Sequence, residues 1–134
     1  MPYSLTFALD HEVIIGTGTG TLGFLEALEG AVSVWERRDW KGKSIVWDFR
    51  KARLEMTGDS VREFAEFVTN HQPLARPPRV GLVVSTEFDF GMARMFEAFR
   101  EDFATEVRVF RSYEDAVAWA ASPARDVEQG LDRS

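Results

Sequence analysis

Arg79 to Ala121 reads RVGLVVSTEFDFGMARMFEAFREDFATEVRVFRSYEDAVAWAA, and its hydrophobic spacing decides the fold class. Val80, Leu82, Val83 and Val84 make a short apolar run, broken only by Gly81, which is how a strand covered on both faces reads. Thr86-Glu87-Phe88-Asp89 has the form of a capping box with Asp in place of the usual Glu or Gln. It leads into Met92, Met95, Phe96, Phe99 and Phe103 at helical spacing. Val107-Arg108-Val109-Phe110 alternates as an edge strand does. Ser112 to Asp115 then offers a second cap, before Tyr113, Ala116, Val117 and Ala120 align on one stripe with Trp119 beside it. A strand-helix-strand-helix order predicts parallel strands joined by right-handed crossovers.

The pattern extends upstream. Pro73, Pro77 and Pro78 close a helix in which Val61, Phe64, Ala65 and Val68 fall at i, i+3, i+4 and i+7, with Thr57 or Asp59 as its cap. Ser44-Ile45-Val46-Trp47 before Asp48 reads as another doubly covered strand. A first helix from Thr21 carries Leu22, Leu25, Leu28, Val32 and Trp35 on its expected inner stripe. Its second stripe, Phe24, Ala27, Ala31 and Val34, suggests a homodimer surface if it faces outward. Tyr3, Leu5, Phe7 and Leu9 alternate with polar or small residues, and a turn at Asp10 and His11 leads to a second strand from Val13 to Thr19, together a hairpin. The prediction is an α/β single-domain sandwich, order ββαβαβαβα, with a mixed, mostly parallel five-stranded sheet and four helices. The domain spans residues 1–121, and 122–134 form a polar, disordered tail.

Composition narrows function mostly by exclusion. The 134 residues suit one domain, and eleven Phe and four Trp predict an aromatic-rich core. Twenty-two acidic against sixteen basic residues give a net charge of -6, which repels phosphate backbones and argues against nucleic acid as a partner. With no cysteine there is no disulfide, thiol nucleophile or thiolate metal site. The N-terminal stretch carries no signal-peptide pattern, and no run nears the roughly eighteen apolar residues of a membrane span, so a cytoplasmic location is expected.

Three motifs could carry chemistry. Gly18-Thr19-Gly20-Thr21-Leu22-Gly23 spells G-x-G-x-x-G, but Asp48 lies beyond the usual ~20 residues, and structural glycine is the default reading. Outside the carboxyl ends of the strands, where ligands of open α/β sheets bind, fall Asp48, Arg50, Thr57, Ser60, Ser85 and Thr86. Helix capping competes for these hydroxyls. Phe88, Phe90, Met92, Met95, Phe96 and Phe99 could line a pocket for an apolar ligand, against the alternative of plain core. His11 and His71 are too far apart in sequence for a local metal pair, and Arg111 after the last strand departs from a phosphoacceptor receiver. No catalytic set, metal site or cofactor is expected.

Three phrases resemble the STAS-like superfamily, in particular its divergent sporulation anti-sigma factor antagonist-like (SpoIIAA-like) bacterial branch. They are Ile45-Val46-Trp47-Asp48-Phe49, Arg79 to Val84, and Val107-Arg108-Val109-Phe110-Arg111-Ser112-Tyr113-Glu114-Asp115-Ala116-Val117-Ala118-Trp119. The resemblance implies a non-enzymatic module that meets a protein partner. It implies a phosphorylated serine turn on Met56-Thr57-Gly58-Asp59, where Thr57 meets the first serine and Gly58 replaces the second. The standard phosphoacceptor is therefore absent unless Thr57 or Ser60 substitutes. Lipid-binding relatives imply the alternative, a carrier or sensor of a small hydrophobic ligand.

Overall fold

The computed structural model describes residues 3–40, 42–71, 77–100 and 105–122, so the expected tail from Pro123 onward, and Phe103, lie outside the described residues. Among those described, the elements are β1 (Tyr3–Asp10), β2 (Val13–Leu22), α1 (Phe24–Trp35), β3 (Ile45–Leu54), α2 (Gly58–His71), β4 (Arg79–Val83), α3 (Glu87–Phe99), β5 (Glu106–Phe110) and α4 (Tyr113–Ala120). The sheet runs β1-β2-β3-β4-β5, with β1 antiparallel to β2 and each later pair parallel. The mixed, mostly parallel α/β architecture is as the spacing predicts.

Strand order dictates the layers. Successive parallel strands step in one direction, and right-handed crossovers then place α1, α2 and α3 on the same face. The helix after the last strand, α4, covers the other. Alternation along each strand serves both layers: Ile14, Ile45, Val80 and Leu82 join the three-helix side, while Val13, Ile15, Val46 and Val83 pack with Ala116, Val117 and Ala120 of α4. Apolar side chains on both faces are why these strands read as nearly unbroken hydrophobic runs.

The helical phase of α1 corrects one expectation. Ala31 and Val34, assigned to an outward stripe, are buried, whereas Leu25, assigned inward, is 70% exposed. Residue size explains the reversal. Trp47 stands up from β3 beneath the helix, and a Cβ on Gly30 would lie 3.4 Å from its ring. Small residues at Ala27, Gly30 and Ala31 let the helix come close, so the bulk of this contact comes from the sheet. The premise for a dimer through Ala31 and Val34 falls with it.

A second correction concerns the segment after Asp48. It was expected to leave the sheet there, but β3 continues to Leu54 because β2 continues alongside it, from Thr19 opposite Lys51 to Leu22 opposite Leu54. A register shift between Thr17 and Thr19 joins the two parts of the ladder. On its other side β3 pairs with β4 only as far as Asp48 opposite Val83. The ends of β2 and β3 thus overhang the sheet as a two-stranded arm. Polar residues from Arg50 to Arg53 suit a strand with a solvated face, which sequence alone does not separate from a loop. The connection to α2 shrinks to Glu55–Thr57, and the hairpin turn moves to His11 and Glu12, with φ of 53° and 64°.

The G-x-G-x-x-G letters lie in β2 and at the start of α1 rather than in a phosphate loop. A Cβ on Gly18 would sit 2.8 Å from Leu22 and 3.0 Å from Phe49. Close packing accounts for this glycine.

Candidate functional site

Two concave features flank the overhanging arm. The first is a cavity of about 120 Å³ between the sheet and the layer of α1, α2 and α3. Leu5, Leu22, Ile45, Trp47, Phe49, Leu54, Val80 and Leu82 form its sheet wall, and Ala31, Val34, Val61, Phe64, Met92, Ala93 and Phe96 belong to its helical wall. Two charged residues complete the lining, Glu26 and Arg100. The Glu26 carboxylate is engaged, accepting from the Gly23 amide at 2.7 Å where α1 begins.

The second feature is an open groove at the carboxyl edge of β3 and β4. Of the six polar residues expected there, Arg50, Thr57, Ser60, Ser85 and Thr86 line it, together with Phe88, which is 60% exposed. Each hydroxyl is engaged by backbone. Thr57 Oγ1 accepts from the Ser60 amide at 3.1 Å while Ser60 Oγ accepts from the Thr57 amide at 2.8 Å, a reciprocal cap of α2. Ser85 Oγ donates to the Arg50 carbonyl at 3.0 Å, and Thr86 Oγ1 accepts from the Asp89 amide at 3.1 Å. Asp89 does not complete the expected box. Its side chain reaches across to accept from the Leu54 amide at 3.1 Å, tying the end of the arm to α3.

Asp48 stands apart from the groove. It is 8% exposed on the α4 face, where its two oxygens take the Nε and Nη2 of Arg50, each at 2.8 Å. The guanidinium lies 5.1 Å over the Tyr113 ring, so the pair braces the start of α4. Hydrogen bonding from the Arg50 side chain holds the Asp48 carboxyl below its ordinary value of 3.8, against the opposing push of burial. The Tyr113 hydroxyl is pushed up, first by burial and then by the nearby carboxylates of Asp10 and Asp48. A depressed folded-state value means that Asp48 contributes stability fully above its unfolded pKa of roughly 4 and loses it as pH falls through the lower folded value. Asp48→Asn is therefore expected to flatten the loss of stability below about pH 4 in chemical denaturation. An unchanged acid limb would refute it.

The six apolar residues expected to share a pocket divide among several places. Met92 and Phe96 line the cavity. Phe90 is packed against the core beneath the Arg111 guanidinium at 4.4 Å, and Phe99 lies beneath that of Arg62 at 5.3 Å. Met95 packs on the start of α2, where a Cβ on Gly58 would be 2.8 Å from its methyl, and Phe88 stands on the groove rim. One helical stripe meets three different neighbours because α3 lies between α2, β5 and the sheet. Sequence spacing missed the contributions of Trp47, Leu54 and Arg100, because none belongs to the apolar stripe of α3.

His11 pairs with Asp10 and His71 stacks on Phe67. Among the described residues no group of three or more His, Asp or Glu converges as a metal site, and no helix is long and apolar enough to cross a membrane.

No protein-family model and no curated protein matches the sequence. Among solved structures, the chain is similar to an uncharacterised DUF3478-family protein with a SpoIIAA-like fold from Shewanella loihica PV-4. The two share 10% identity with a TM-score of 0.57, over 88% of this chain and 93% of that one. At such identity the likeness concerns the fold, and the fold is SpoIIAA-like, as the resemblance of the three phrases implies.

Proposed function

We propose that this SpoIIAA-like domain is a non-enzymatic binding module that takes up a small apolar molecule in the cavity between its sheet and α1, α2 and α3. The cavity itself carries the reading. Both of its walls are apolar, with Glu26 and Arg100 as the charged members of the lining, which is the composition of a small-molecule site. An engineered apolar cavity of about 150 Å³ accepts benzene, so the size suits a ring or a short alkyl chain.

Native mass spectrometry of freshly purified protein, with thermal shift against benzene and hexanol, tests the reading. Added mass or a rise in Tm supports it. Ala93→Leu would extend a side chain into the cavity, raising stability by about 1 kcal/mol while abolishing the ligand-dependent shift. A protein that emerges ligand-free and shows no shift with either probe contradicts it.

Phe88 favours a second reading. At 60% exposure it stands on the rim of the groove that Arg50, Thr57, Ser60, Ser85 and Thr86 also line, a combination suited to contact with a protein partner. That surface becomes the leading candidate if the cavity proves unreceptive.

A further inference from the structure

We propose that the open edge of β5 pairs antiparallel with the same edge of a second copy of this chain, joining two sheets into one about a two-fold axis at Val107. No residue of β5 lines the cavity, and pairing here does not depend on the cavity being a ligand site.

Among the described residues, β5 pairs with β4 alone. The Glu106 amide donates to the Pro78 carbonyl at 3.0 Å, and the Phe110 carbonyl accepts from the Val84 amide at 3.0 Å. Glu106, Arg108 and Phe110 therefore direct their backbone groups to β4. By the alternation of a strand, Val107 and Val109 direct theirs outward. A groove beside this edge is lined by Glu106, Val107 and Arg108 together with Arg94 and Glu97 of α3 and Trp119 of α4, so both helical layers flank it. A row of unpaired N–H and C=O groups is a template for another strand.

Charge selects the occupant and the register. Opposed residues on antiparallel strands both face the pairing or both face away, so a symmetric pairing sets one residue opposite its own counterpart. Centred on Val107, it places Glu106 of each copy opposite Arg108 of the other, as non-hydrogen-bonded pairs whose side chains stand closest. Centred on Arg108, it would set that arginine against itself. Both side chains are exposed, and among the described residues Arg108 meets no carboxylate, its guanidinium lying 5.1 Å over the Trp119 ring. Glu106 Oε1 takes Arg79 Nε at 3.0 Å, and a carboxylate has two oxygens with which to meet two cations. Charges on an edge deter indiscriminate pairing, but an acid and a base two residues apart admit a strand with the reverse order, which a two-fold copy supplies. The opposite edge, β1, has no such code: Tyr3 to Leu9 is uncharged, so its registers are weakly distinguished.

Sedimentation velocity and hydrogen exchange on the intact chain, from micromolar to millimolar concentration, test this. The mass is expected to rise from 15.2 kDa toward twice that value. Amide exchange at Val107 and Val109 should slow about tenfold over the same range. Arg108→Glu opposes Glu to Glu in both pairs and should weaken association by about tenfold or more. Val107→Pro removes the central amide, which no ladder bond to β4 uses, and should abolish association while leaving the monomer folded. Arg108→Glu mixed with Glu106→Arg should form a mixed dimer, in which both pairs are again opposite in charge. A monomer at every concentration overturns the proposal, as does a dimer that Arg108→Glu and Val107→Pro leave intact, or one whose exchange protection appears along β1. If Glu106→Arg does not fold, the other two variants still decide.

Discussion

Replacing Gly16 with alanine is expected to lower stability by about 2–3 kcal/mol in denaturant unfolding, the upper part of the range for overpacking. A Cβ there would stand 2.6 Å from both Cε3 and Cζ3 of Trp47 and 3.1 Å from Phe7. Trp47 has little room to yield: Phe49 stacks against it at 5.8 Å, the Phe7 ring meets it edge-on at 5.9 Å, and Gly30 closes over it from α1. The clash therefore strains the sheet or drives the indole into the cavity, whose wall it forms. In a Trp47→Leu background the same glycine substitution should cost well under 1 kcal/mol, since its obstacle is gone. Costs that simply add would show that the two residues do not share the space. Any ligand uptake by the cavity should weaken in Gly16→Ala, because the ring and the ligand compete for one volume.

The second large effect is expected at Asp89, where alanine should cost about 2–3 kcal/mol and asparagine less than half of that. The side chain is 2% exposed, and its Oδ1 accepts from the Leu54 amide, the last residue of the overhanging arm. β4 has already left the sheet by then, so Leu54 has no strand on that side and a helix side chain takes the strand's role. Alanine leaves the amide without its acceptor, whereas asparagine keeps an oxygen in place. Hydrogen exchange at Leu54 offers a local reading. It should accelerate strongly in Asp89→Ala and only slightly in Asp89→Asn, and equal effects of the two variants would refute the tie.

Both positions show where sequence reasoning reaches its limit. The glycines between Gly16 and Gly23 are conspicuous in the sequence, and their letters suggest a phosphate loop. For Gly16 the reason is the indole of Trp47, for Gly18 the side chains of Leu22 and Phe49, and Gly20 takes a positive φ of 80°. Asp89 at the fourth position of a capping box looks like a local cap, yet its acceptor serves a residue thirty-five positions away. Arg50, Thr57, Ser60, Ser85 and Thr86 were legible as a group because strand ends gather at one edge of a parallel sheet. Asp48 belongs with them only on a reading in which the strand stops there. It sits instead on the α4 face, engaged with Arg50.

By itself the sequence determined the element order, the parallel sheet and the inner stripes of α2 and α4, because those depend on the period of apolar residues along one segment at a time. It also determined a SpoIIAA-like likeness, through phrases that span strand ends and the last helix. Tertiary structure alone decided which side of α1 faces inward, how far β2 and β3 run past β4, and that an apolar cavity with a buried guanidinium lies among the first three helices. These depend on the volumes and charges that separate segments bring to one place. A glycine, an alanine and a tryptophan acquire a common meaning only when packing sets them face to face.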